Sequence, residues 1–152
     1  MLDLACGTGR HALAAAALGA KVVGIDKDPA KLEIAQQEAK SRGVVVEWKE
    51  MDIEAGWPTG KFDAVMVFNF LVRERMPRLL ELVAHRGLLM YETFFEAQKE
   101  FGWGPTKDAH LLKSGELFQL VRPLLVIHGR EVIEPVDSSR WMALASVLAQ
   151  RV

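Results

Sequence analysis

The sequence predicts a doubly wound α/β fold, a mostly parallel seven-stranded sheet bounded at one edge by an antiparallel C-terminal hairpin. Three observations carry this. Short apolar runs alternate with helical stretches along most of the chain, which implies parallel strands with helices on both faces of the sheet. The last two apolar runs, Leu124–Val132 and Arg140–Leu148, are joined only by the turn-like stretch Glu134–Ser139. With no helix between them they must pair antiparallel. The first ten residues, Met-Leu-Asp-Leu-Ala-Cys-Gly-Thr-Gly-Arg, read as a buried strand that enters a glycine turn and then a helix.

Each element follows in order. Leu2–Ala5 is a short strand, and Arg10–Leu18 is an Ala-rich helix stopped by Gly19. Lys21–Ile25 is the second strand and ends at Asp26. Asp28 caps the next helix, with Pro29 at its first position, and the helix runs to Arg42 before Gly43. Val44–Trp48 is the third strand. Glu54–Lys61, with Gly56, Pro58 and Gly60, is a loop. Phe62–Phe68 is apolar enough to be a central strand. Pro77 begins a helix that ends near His85, and Gly87–Tyr91 is the fifth strand. Phe94–Leu112 is irregular and rich in Gly, Trp and charge; a connection of that length is expected to be functional or mobile. Gly115–Val121 is a short helix before the hairpin. This order is Rossmann-like, with the terminal hairpin as its distinguishing addition.

A chain of 152 residues, half of them apolar, supports one domain, residues 1–152, with a sizeable core. The net charge of −1 gives no electrostatic footprint for nucleic acid or an anionic membrane. The lone Cys6 excludes an internal disulfide framework. No signal peptide or membrane-length apolar run is visible, so the expected location is cytoplasmic.

The chemistry concentrates at strand ends. Asp3 lies inside the first apolar run, where an acid is costly unless polar groups sit close by. Gly7 and Gly9 allow a sharp turn and a close backbone approach to a ligand. In open α/β sheets, ligands bind beyond the carboxyl ends of the strands, where the strand order reverses. Asp26 closes the second strand and is placed to accept both hydroxyls of a ribose. Asp52 follows the third strand and can accept from an adenine amino group, while the Ile53 amide donates to a ring nitrogen. Asp3 can face an amine. These acids together describe a ligand with an amine, a ribose and an adenine.

Leu2-Asp-Leu-Ala-Cys-Gly-Thr-Gly9, Val23-Gly-Ile-Asp26 and Met51-Asp52 resemble the cofactor site of class I S-adenosylmethionine-dependent methyltransferases over almost the whole chain. The resemblance implies S-adenosylmethionine as cofactor and S-adenosylhomocysteine as product. It implies a binding set of Asp3, Ala5, Cys6, Gly7 and Gly9 from the first loop, Asp26 and Lys27, Asp52 and Ile53, and backbone carbonyls of Phe68 and Asn69 facing the methionine amine. Ala5 stands where the family commonly has its first loop glycine, a mild departure because Ala is also small. Asn69, Arg73, Tyr91-Glu92-Thr93-Phe94, Phe101-Gly102, His110-Leu111-Leu112 and Gly115-Glu116-Leu117 resemble, more narrowly, the small bacterial tellurite-resistance (TehB-like) methyltransferases. A helical segment usually precedes the first strand in that family. This chain begins at the strand, so the expectation is a late start or a partner that covers the site.

The same residues admit other readings. Gly7-Thr-Gly9-Arg-His-Ala12 fits a dinucleotide fingerprint with Asp26 at a tolerable spacing, as in an NAD(P)-dependent oxidoreductase; Asp3 and Asp52 argue against it. A non-catalytic S-adenosylmethionine-binding subunit is a further alternative. Asp52 can simply bond its own backbone. Cys6 reads as a packed thiol rather than a nucleophile. The histidines have no metal-ligand spacing, so no metal site is expected, and His11, His85 and His128 read as packing or surface residues. His110 is the exception, because it lies in the long segment. On the substrate side the candidates are Glu92 at the end of the fifth strand, His110 and Arg73. Phe94, Phe101 and Trp103 would close the segment over a small-molecule acceptor; the alternatives are permanent packing on the sheet edge or a homodimer contact. The sequence shows no unmistakable base, which favours a soft or already ionised nucleophile.

Overall fold

The computed structural model describes residues 1–152. Its strands are β1 (Leu2–Leu4), β2 (Val23–Asp26), β3 (Glu47–Glu50), β4 (Phe62–Phe68), β5 (Val83–Phe94), β6 (Leu125–Pro135) and β7 (Trp141–Gln150). The helices are α1 (Arg10–Ala17), α2 (Pro29–Arg42), α3 (Met76–Leu82) and α4 (Glu116–Leu120). The strands form one sheet in the order β3-β2-β1-β4-β5-β7-β6. All pairs from β3 to β5 are parallel, and β7 pairs antiparallel with both β5 and β6. The order reverses between β1 and β4, so a crevice opens beyond their carboxyl ends.

Burial explains the arrangement. In β4, Ala64 to Val67 are buried on both faces, as a central strand requires. In β5 alternate residues are buried, and Leu89, Tyr91 and Thr93 face the same layer as their β7 partners Ala149, Val147 and Ala145. In β7 Leu144 is buried as well, so that strand is covered on both faces where it meets Phe94. Asp28 caps α2 as its sequence predicts, accepting from the amides of Ala30 at 3.0 Å and Lys31 at 3.4 Å. Gly43 ends that helix with φ 65°.

Most boundaries shift by a few residues from the sequence reading, and β5 begins at Val83 rather than Gly87; three shifts have a clear cause. The third strand starts at Glu47 rather than Val44, because the Val44 amide donates to the Ala39 carbonyl and completes the helix terminus. α3 stops at Leu82, since Val83 is extended and pairs with Phe62. β5 runs on to Phe94 because β7 supplies a partner as far as Leu144.

That extension changes the long segment. It contains two 3-10 turns, Glu96–Phe101 and Asp108–His110. Gln98, fully buried, donates to the Trp103 carbonyl at 2.9 Å and accepts from the Ala143 amide at 2.8 Å. Trp103 Nε1 donates to the Trp141 carbonyl at 2.8 Å. The segment is thus fastened to β7 by its own polar groups. No helix is long and apolar enough to cross a membrane.

Candidate active site

A cleft of about 490 Å³ lies beyond the ends of β1, β2 and β4, within the size range of small-molecule sites. Its floor is the turn after β1. Ala5, Gly7 and Gly9 all adopt positive φ, at 58°, 56° and 80°. The Cys6 amide donates to the Ile25 carbonyl and the Gly9 amide to the Cys6 carbonyl, both at 2.9 Å, which ties the turn to β2. A Cβ at Gly7 would meet nothing within 4 Å, so the backbone there is bare toward open space.

Asp26 organises the turn. One carboxylate oxygen accepts from the Gly7 amide at 2.7 Å and the other from the Asp28 amide at 3.0 Å. A carboxylate oxygen carries two lone pairs, so one on each remains for a donor in the cleft. Asp3 is almost fully buried and accepts from the Ala12 amide at 3.0 Å. Burial pushes its carboxyl up to about 7, aided by the negative charge of Asp26 and opposed by the Ala12 hydrogen bond and by Arg10. The same burial, with the Asp3 and Asp26 charges, pushes the Cys6 thiol up to about 12. A thiol so far from ionisation is a poor nucleophile, in line with the packing reading of Cys6.

Ala5, Cys6, Gly7, Asp3, Asp26 and Lys27 all line the cleft, as do Asp52, Ile53, Phe68 and Asn69. Gly9 does not. Its Cβ would fall 2.4 Å from the Trp48 ring, so this glycine makes room for a packed tryptophan rather than a ligand. Asp52 bonds its own loop, one oxygen accepting from the Glu54 amide at 2.9 Å, while its side chain remains exposed at the rim. Asn69 has φ 55°, and its amide donates to the Glu92 carbonyl at 2.8 Å. That bond extends the β4–β5 ladder, and the left-handed φ at Asn69 turns the chain there, where Phe68, Asn69 and Phe70 line the cleft.

The substrate-side candidates are not brought together here, and none of the three lines the cleft. Arg73 is a staple. It donates to both oxygens of Glu116 and to the carbonyls of Asp108, Ala109 and Leu111. Its guanidinium is fully occupied by Glu116 and by the carbonyls of the segment before α4. Glu92 is half-buried on β5, 3.9 Å from Arg130 of β6, and burial raises its carboxyl above the usual range. His110 is exposed on the second 3-10 turn. Phe94, Phe101 and Trp103 also lie outside the cleft, so the segment does not form the expected cover. Phe94 and Trp103 meet edge to face at 6.2 Å instead.

Other residues escaped the sequence reading. Arg10, His11, Lys31, Met51 and Phe70 all line the cleft. His11, read as packing, lies against Phe68 with ring centroids 3.7 Å apart and planes at 30°. Burial and the Arg10 charge hold its imidazole below its ordinary value. The available signal was position: residues on the first turn of a helix that follows a glycine loop face what the loop binds. The soft-nucleophile expectation rested on the lack of a base, and a cleft histidine removes that ground.

The methyltransferase domain family model matches residues 1–86. A demethylmenaquinone methyltransferase of Thermus thermophilus is 38% identical over 133 residues, which cover 82% of this chain and 57% of that protein. A ubiquinone biosynthesis O-methyltransferase of Xanthomonas campestris is 26% identical over 154 residues, covering 100% of this chain and 64% of its own length. The chain spans between 26% and 64% of the length of the curated relatives it matches. Among solved structures, TehB from Haemophilus influenzae superposes with a TM-score of 0.83 at 18% identity, over 99% of this chain and 57% of that one. Magnesium protoporphyrin IX methyltransferase from Synechocystis, solved with bound S-adenosylhomocysteine, gives 0.77 at 19% identity, over 99% and 73%. At such identities these two likenesses speak to the fold.

Proposed function

The chain belongs to the methyltransferase domain family, and on that premise we propose that it binds S-adenosylmethionine across the ends of β1, β2 and β4 and transfers the methyl group to a small-molecule acceptor. The observation that carries this reading is the convergence of Asp3 within β1, Asp26 at the end of β2 and Asp52 just after β3 on one cleft floored by a bare glycine turn. The donor set fits the cofactor. Asp26 keeps a lone pair on each oxygen, a match for a ribose diol. The Ile53 amide donates to no carbonyl of the chain and can meet an adenine nitrogen. Asp3 sits where an ammonium would find a buried acid and stabilise its ionised form.

When bound, the cofactor supplies an electrophilic methyl group on a sulfonium centre. The chain supplies position. The αL turn at Asn69 directs the end of β4 toward the amine, and Asp26 fixes Gly7 and the ribose edge with one carboxylate. Orientation of this kind is a large part of what such a site contributes.

Calorimetry with S-adenosylhomocysteine and, separately, with NAD tests the reading. Saturable binding of the first and none of the second is expected. Binding of NAD alone would return the dinucleotide reading, and binding of neither would end the proposal.

A further inference from the structure

The cleft holds a titratable side chain for which the cofactor has no use. His11 stands on the first turn of α1, its ring laid on Phe68, and both rings line the cleft beside Asn69 and Phe70. The stack fixes the plane of the imidazole and leaves its nitrogens at the edge. No hydrogen bond of the chain acts on that ring, only burial and the Arg10 cation, and both disfavour the imidazolium. At neutral pH the ring is therefore uncharged, with a lone pair on one nitrogen.

The other groups around it are committed. Asp3 on β1 is buried against α1, and Asp26 on β2 accepts backbone amides with both oxygens. The Cys6 thiol keeps its proton. Glu92 on β5 faces Arg130 and feels the Arg10 charge. Lys27, Lys31 and Arg10 are cations. Asp52 and Glu54 also line the cleft, on the loop after β3; His11 is the group stacked on an aromatic ring, with no hydrogen bond of the chain on its imidazole.

We propose that His11 is the general base of the methyl transfer and that the acceptor is a hydroxyl carried on an aromatic ring. This rests on the cofactor reading above. The acceptor oxygen bonds to the methyl carbon as the carbon–sulfur bond breaks. The electron pair of that bond stays on sulfur, which leaves a neutral thioether. The hydroxyl proton passes to the free His11 nitrogen and from there to water. A thiolate would need no base. A phenol, with a pKa of about 10 like that of tyrosine, keeps its proton at neutral pH and gains from one. The flat faces of Phe68 and Phe70 suit an aromatic ring.

The test uses the whole chain, catechol as probe and thiophenol as a readily ionised control. The variant is His11→Phe, which keeps a ring on Phe68 and removes both nitrogens. With S-adenosylhomocysteine bound, addition of catechol to 15N-histidine-labelled protein is expected to move the His11 ring resonances. No movement, or no catechol binding, overturns the proposal. The variant is expected to keep its S-adenosylhomocysteine affinity, lose about 10²–10⁴-fold in kcat on catechol, and lose far less on thiophenol. Equal losses on both acceptors would make His11 a packing residue, and no loss on catechol would exclude it as the base. The wild-type rate on catechol should rise with pH and level off below 6.5, since the imidazole lies under that ordinary value. A rate that keeps climbing toward the phenol's own pKa overturns the base role. A wild type that binds S-adenosylhomocysteine yet leaves catechol unmethylated overturns the acceptor class alone. A wild type that binds neither ligand overturns the cofactor reading itself.

Discussion

Asp3→Asn isolates the energetic cost of the buried acid under the glycine turn. The substitution keeps an oxygen that accepts from the Ala12 amide and removes only the ability to ionise. The wild-type carboxyl moves from 3.8 to about 7 on folding, first through burial, then through the Asp26 charge. Between those values the folded state holds a proton that the unfolded state has released. Stability is therefore lost as pH rises, the reverse of a salt-bridged carboxylate. At about 1.4 kcal/mol per unit, the wild type should lose about 2–3 kcal/mol relative to the variant between pH 5 and pH 8. Urea unfolding of both proteins at the two pH values measures this, and the difference cancels the other titrating groups. Parallel behaviour, or a wild type that gains on the variant as pH rises, would refute the reasoning. The same linkage predicts that binding a ligand ammonium beside Asp3 releases protons near pH 6. Calorimetry in buffers of different ionisation enthalpy would show it in the wild type and not in the variant.

Asp26→Ala should weaken S-adenosylhomocysteine binding by about 1–3 kcal/mol, read by calorimetry, and lower stability by a similar amount, because the Gly7 and Asp28 amides both lose their acceptor. Ala5→Gly should leave stability unchanged or raise it by up to about 1 kcal/mol, measured as the urea midpoint: relief at φ 58° exceeds or offsets the entropy of a freer unfolded chain. Arg73→Gln should cost about 1–3 kcal/mol of stability by breaking the staple to Glu116, with cofactor affinity unchanged. A selective loss of acceptor binding in that variant, without destabilisation, would restore Arg73 to the substrate side.

Local signals were the legible ones. The Asp28-Pro29 start of α2, the glycine turn and the apolar run of β4 each act within a few residues, and each appears where the sequence puts it. The cleft was legible for the same reason, since its acids lie within or just after the early strands. What failed depends on distant partners. β5 reaches Phe94 only because β7 pairs with it. Arg73 looked free for a substrate because Glu116 and the carbonyls it binds lie far along the chain. The long segment read as a mobile cover because nothing local reveals that Gln98 is buried and bonded to Ala143. Gly9 looked like a ligand contact until Trp48, from the edge strand, filled the space above it.

The locally unfavourable features of this chain are gathered at one rim. Of the residues other than glycine with positive φ, Ala5 and Asn69 line the cleft, and only Arg86 lies elsewhere. Asp3, a charge-bearing group in the core layer, lines it too. Each costs on the order of 1–3 kcal/mol and persists only because the surroundings over-determine it. Those surroundings can be named: Asp26 holds the turn at Gly7, the Asn69 amide is bonded to Glu92 of β5, and the Ala12 amide meets Asp3. Strain on a ligand-facing edge, held by bonds that point away from it, keeps the acceptors open for a partner the chain lacks. A ligand that supplies an ammonium to Asp3 and a diol to Asp26 would relieve part of that cost. Its binding should therefore raise the stability of the wild type more than that of Asp3→Asn, by a margin that grows from pH 5 to pH 8.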